Sequence, residues 1–135
     1  MAKNSDREIV QQIDKEFASL IESLKNLAGS GSSYQYILRS AAAVEQLCGG
    51  LTANLWDDPF EWTLPETLSN ADRVVEYLSE VDLARERAFN SIDDAALTKY
   101  ISTPSGDEQQ LVSVLLRTLV SASEFRGRAI AQRNE

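Results

Sequence analysis

The sequence contains no histidine and only one cysteine, Cys48, in 135 residues. Without an imidazole there is no Ser-His-Asp arrangement and no histidine metal site, so any acid–base chemistry falls to carboxylates, Tyr, Lys or Cys48. One thiol forms no intrachain disulfide, which fits a reducing compartment. Long apolar runs are missing: nothing approaches the ~18 residues of a membrane span, and MAKNSDREIV has no apolar core of the signal-peptide kind. The expectation is a cytoplasmic protein with no membrane partner. Basic residues are in the minority, and the net charge is −8 with a pI near 4.6. Such a surface repels phosphate backbones and argues against nucleic acid. The only basic cluster, Arg126, Arg128 and Arg133, falls where a helix end favours positive charge. Proline is scarce too, and Pro59, Pro65 and Pro104 all lie between candidate helices.

What the chain does have is hydrophobic residues, 43% of the total, enough for one core and one domain spanning residues 1–135. Their spacing is helical. Helix one opens at Ser5, with Glu8 at capping-box spacing. It carries Ile9, Ile13, Phe17, Leu20, Leu24 and Leu27 and stops at Gly29–Ser32. Helix two starts near Ser33 or Tyr34, where Ser32 and Gln35 offer a cap. It buries Ile37, Ala41, Val44, Cys48 and Leu51, with Ser40 leaning inward, and kinks at Gly49–Gly50 or ends by Asn54.

The stretch WDDPFEWTLPETL is long for a link between neighbours and predicts a crossover pinned by Trp56, Phe60 and Trp62. Helix three begins after Ser69, with Asp72 in its first turn. Its stripe is Val74, Val75, Leu78, Val81, Ala88, Phe89 and Ile92, interrupted by Arg85. Asp93–Thr103 is a connector with a short helical turn near Ala95–Leu97, and Tyr100 and Ile101 are expected to pack onto the bundle. Strands near Lys99–Ser102 are conceivable but have no evident partner. Helix four runs from about Gly106 to Gln132, with Ser105 and Glu108 as a capping box. Leu111, Leu115, Thr118, Ala122, Phe125 and Ala129 form its stripe, widened by Val114, Leu119, Val120 and Ile130. The fold class is all-α: a four-helix bundle with a long crossover between helices two and three. The Gly and Pro breaks argue against a long coiled-coil hairpin.

The helix order, LSNADRVVEYLSEV opening helix three, the SIDDAAL connector and EFRGRAI near the end resemble the DinB-like superfamily of damage-inducible-type four-helix bundles. The resemblance covers nearly the whole chain. It implies an HxxxHRGQ-like segment on the last helix and a third His early in helix two, together holding a divalent metal that some relatives use in thiol-dependent transferase or isomerase chemistry. Matching Arg126-Gly127 to the family's Arg-Gly places Phe125 and Ser121 at the two helix-four positions. ILRSAAAVEQL places Ser40 at the third, with Glu45 five residues on. Phe cannot ligate a metal and neutral hydroxyls are poor ligands, so the expectation is a metal-free site with no cofactor and no catalytic residue.

Each residue has a plainer structural reading. Ser40 and Ser121 line a leftover pocket, or return their hydroxyls to their own helices. Phe125 fills core space. Arg85 contacts a small anionic ligand, or lays its stem on the core with its head on Asp82 or in water. Cys48 is a small buried hydrophobe rather than a nucleophile. Trp56, Phe60 and Trp62 pack the crossover or rim a ligand site. Asp57-Asp58 and Asp93-Asp94 are solvated, bind a cation weakly or start helices. The leading functional expectation is a non-catalytic bundle acting by binding or assembly as a homodimer. The alternatives are a diverged transferase-, isomerase- or hydrolase-like enzyme, and a binding module for a small anion using Ser40, Arg85 and Ser121.

Overall fold

The computed structural model describes residues 6–30, 34–57, 70–103 and 106–133. Four long helices occur among them: α1 (Glu8–Gly29), α2 (Tyr34–Ala53), α3 (Ala71–Asn90) and α4 (Leu111–Arg133). A short 3-10 turn, Asp94–Thr98, and a two-stranded hairpin, β1 (Tyr100–Ser102) with β2 (Glu108–Gln110), join α3 to α4. The fold is the expected all-α four-helix bundle. No described helix is long and apolar enough to cross a membrane.

The start of α1 meets the end of α3 through Arg7, and Tyr36 early in α2 stacks on Phe125 late in α4, so both pairs are antiparallel. Glu45 lies beside Tyr77, and further along both helices Cys48 lies near Arg85. Helices α2 and α3 therefore run in the same sense. Twenty-residue helices are about 30 Å long, so the end of α2 and the start of α3 lie at opposite ends of the bundle. The expected crossover, with Phe60 and Trp62, falls on residues 58–69, which lie outside the described residues. α1 packs mainly on α3, and α2 on α4 and α3, leaving α1 and α2 diagonal.

The core joins all four helices, with Phe17 of α1 tilted against Phe89 of α3 at 5.4 Å between ring centroids. Each such ring, fully buried, contributes roughly 2–3 kcal/mol. The stripes hold with exceptions. On α1, Val10 is buried and Ile9 is 55% exposed; on α4, Val120 is 58% exposed. Tyr77, absent from the expected stripe of α3, is buried.

The helix ends show how local signals were met. Asn70 caps α3, its side chain accepting from Arg73 N at 3.0 Å. α2 continues through Gly49 and Gly50 and ends at Ala53, where Asn54 takes a left-handed φ of 56°. The chain then doubles back. Asn54 N donates to Gly50 O and Leu55 N to Gly49 O, both at 3.1 Å, a left-handed helix ending of the usual kind. A Cβ on Gly49 would lie 2.7 Å from the Leu55 carbonyl, and one on Gly50 would lie 2.3 Å from the Trp56 ring. The two glycines let this return lie flat on the helix rather than kink it.

Three expectations at the other end are corrected. α4 starts at Leu111, not near Gly106, because Glu108–Gln110 form β2 and pair with Tyr100–Ser102. Those residues are the strand partner for Tyr100–Ser102, and Gly106 at φ 87° lies in the turn between the strands. Ser105, needed for the capping box, lies outside the described residues, as does Ser5 at α1. Tyr100 does not pack down: pairing turns it outward, 65% exposed, while its neighbour Ile101 packs on the core, the alternation of a strand.

Candidate functional site

Of the helix-two and helix-four positions singled out by the family pattern, Ser40 and Phe125 both lie along the α2–α4 seam, Ser40 against Ala122 and Phe125 against Tyr36. Ser40 is fully buried, and its Oγ donates to the Ala122 carbonyl of α4 at 2.7 Å. The hydroxyl thus crosses to the neighbouring helix instead of returning to its own. One turn earlier on α2, the Tyr36 ring stacks on Phe125 with centroids 6.5 Å apart and planes 20° apart. Phe125 is half-buried rather than deep in the core. The Arg39 and Arg128 guanidinium carbons lie 5.9 and 5.8 Å from its centroid, and Arg128 also lies 5.9 Å from the Tyr36 ring. These are cation–π distances. Ser121, one turn before Phe125 on α4, is half-buried.

A divalent metal does not fit this donor set. The Phe125 ring offers no lone pair, and the Ser40 hydroxyl is committed to a carbonyl. Among the described residues no group of three or more His, Cys, Asp or Glu side chains is placed to hold an ion. Glu45, five residues beyond Ser40, lies instead beside Tyr77 of α3. Burial raises its pKa, a hydrogen bond from Tyr77 opposes the rise, and Glu80 adds to it.

Arg85 belongs to a different neighbourhood. Its guanidinium pairs with Asp14 of α1 and, at 2.8 Å, with Asp82 one turn back on α3; Glu86 lies 3.7 Å away. Burial alone would lower its pKa, but hydrogen bonds to Asp82 and Asp14 more than offset that and hold it above its ordinary value. Its charge is neutralised internally, on the side of α3 that faces α1. Cys48 lies close by, and burial pushes its thiol up to about 12, with Arg85 opposing and Glu45 and Asp14 reinforcing. A thiol held that far above neutrality is not a nucleophile at physiological pH.

Sequence reasoning missed Asp14. The signal was present: Asp14 stands four residues after Val10 and three before Phe17, both buried. A charge on that stripe, like Arg85 on its own, calls for an opposite charge across the interface.

Two open clefts flank these features. One, of about 180 Å³, is walled by Trp56, Val114 and Thr118, with Gln46, Gln109 and Arg117 supplying polar groups. Trp56 is held there by Gln46 Nε2 donating to its carbonyl at 2.7 Å and by its own Nε1 donating to Asn54 at 3.1 Å. The other, of about 380 Å³, lies at the α1–α3 junction beside Arg7, Ser91, Asp93 and Lys99. There Arg7 donates to the carbonyls of Phe89 (2.7 Å) and Ile92 (3.2 Å), while the Asp94 carboxylate accepts from Ile9 N (3.1 Å) and Val10 N (2.9 Å). Asp93 caps its own turn through Ala96 N at 3.0 Å. Both acids therefore cap helical turns, one of the roles expected of an Asp-Asp pair.

Comparison of the chain with protein-family models, curated proteins and solved structures gives no match.

Proposed function

We propose that this chain is a DinB-like bundle that acts by binding and assembly rather than by metal-dependent catalysis. The observation that carries the reading is the closure of the α2–α4 seam: Ser40 is bonded to the Ala122 carbonyl and Phe125 is stacked on Tyr36. The polar groups inside the bundle do structural work there, and the one thiol is held protonated. Two measurements test it. Metal analysis of the dialysed protein is expected to find far less than one zinc or nickel per chain; a stoichiometric ion rejects the reading. The triple variant Ser40→His, Ser121→His, Phe125→His is expected to gain a single zinc site, because the family alignment sets i, i+4 imidazoles on one helix against a third on α2. A folded triple variant that binds no zinc overturns the family alignment.

A small anion is a second reading, favoured by one observation. Arg126 Nε is buried without an acceptor among the described residues, at the same end of α4 as Arg128. Arg85, already paired with Asp14 and Asp82, suits that role less well. Inorganic phosphate is expected to raise the melting temperature above chloride at equal ionic strength, by linkage, and the Arg126→Gln, Arg128→Gln double variant to lose the increment. Equal melting in both salts removes this reading.

A further inference from the structure

The outer face of α4 has a pattern that the bundle uses only at its edge, where Ile130 is half-buried against the core. Ser113, Leu116, Val120, Ser123, Gly127 and Ile130 recur at steps of three and four, the heptad seam of a helix that meets another helix. Ser113, Leu116, Val120 and Gly127 are exposed, with Leu116 at 47% and Val120 at 58%. A Cβ added at Gly127 would meet nothing within 4 Å, so no packing within the chain requires a glycine there. Arg117 and Glu124, seven residues apart, line one flank of the seam, both exposed. Neither has an opposite-charge partner among the described residues.

We propose that two copies of this chain pair antiparallel through this face, with Arg117 of each against Glu124 of the other. The proposal rests on the assembly reading above and gives it a surface. The argument is self-complementarity. In the antiparallel register that sets Leu116 opposite Gly127, Val120 falls opposite Ser123 and Ile130 opposite Ser113. Every layer then joins a large side chain to a small one, which lets the two backbones approach closely and fills the space between them. In the same register Arg117, between the Leu116 and Val120 layers, meets Glu124, between the Ser123 and Gly127 layers. The two-fold axis repeats the pair, as an isologous dimer requires. A parallel pairing sets Arg117 and Glu124 against Val112 and Leu119 and loses both ion pairs, so the charges select the antiparallel arrangement.

Sedimentation velocity over a concentration series tests this on the full chain. The unmodified protein is expected to dimerise. Arg117→Glu alone and Glu124→Arg alone are each expected to weaken the dimer by about tenfold or more, since each creates two like-charge contacts. The double reversal is expected to restore it to within about threefold. Gly127→Leu is expected to abolish the dimer while leaving the monomer at least as helical by circular dichroism, because its new side chain enters open space and improves helix propensity. A dimer indifferent to Gly127→Leu and to both charge reversals overturns this interface and leaves assembly standing. A monomer at the highest concentration reached overturns both.

Discussion

Replacing Asp14 with alanine is expected to destabilise the fold by about 2–3 kcal/mol, somewhat below the cost of breaking a fully buried ion pair. Arg85 is buried between α3 and α1 and balanced by Asp14 and Asp82. Removing Asp14 leaves a guanidinium with Asp82 at 2.8 Å and Glu86 at 3.7 Å on its own helix and no carboxylate from α1. The Asp14 side chain is 27% exposed, so water re-solvates part of the site, which keeps the loss under the fully buried value. Asp14→Asn retains an acceptor and is expected to recover a fraction of the loss. Removing both charges as Asp14→Leu with Arg85→Met is expected to come within about 1 kcal/mol of the original, because a well-packed apolar pair often replaces a buried ion pair without penalty. Urea denaturation measures all three. Should Asp14→Ala unfold at the unmodified midpoint, the pair with Asp14 contributes nothing and Asp82 with packing suffices to hold Arg85.

Asp94→Ala is expected to cost about 2 kcal/mol. The residue before α1 is Arg7, whose side chain makes no cap bond to the helix. Ile9 and Val10 occupy the two positions whose N–H groups a capping side chain ordinarily takes. Asp94 supplies that carboxylate from 84 and 85 residues away, adding a favourable charge at the positive end of the α1 dipole. Arg7 does the converse at the negative end of α3, through the Phe89 and Ile92 carbonyls. The two form a reciprocal clamp between the start of α1 and the end of α3. Asp94→Asn, which keeps one acceptor and loses the charge, is expected to fall midway. Arg7→Ala with Asp94→Ala is expected to cost less than the sum of the single losses, since both act on one junction. Strict additivity in chemical denaturation disproves the clamp.

The sequence by itself determined the helices and most of their limits. The α1 stop at Gly29, the α2 stop before Asn54, the start of α3 after Asn70 and the turn near Ala95–Leu97 are set by neighbours a few residues apart: apolar periodicity, caps and a left-handed residue. The buried positions from Phe17 to Leu27 and from Ile37 to Cys48 follow from the same period. The α4 start misled because Glu108 at capping-box spacing and the apolar run behind it are both local signals, whereas the hairpin that took Glu108–Gln110 depends on Tyr100–Ser102 coming back to meet them.

Tertiary structure alone decided which groups meet. Asp14 with Arg85, Arg7 with Phe89, Asp94 with Val10 and Ser40 with Ala122 join residues 71 to 84 apart. A single sequence marks such partners only as polar groups on apolar stripes or at helix ends. Four amphipathic helices permit several arrangements and registers with similar apolar burial. The parallel placement of α2 and α3 puts Ser40 on α4 and leaves Arg85 to α1, and that division of partners comes from packing all four helices at once rather than from any one of them.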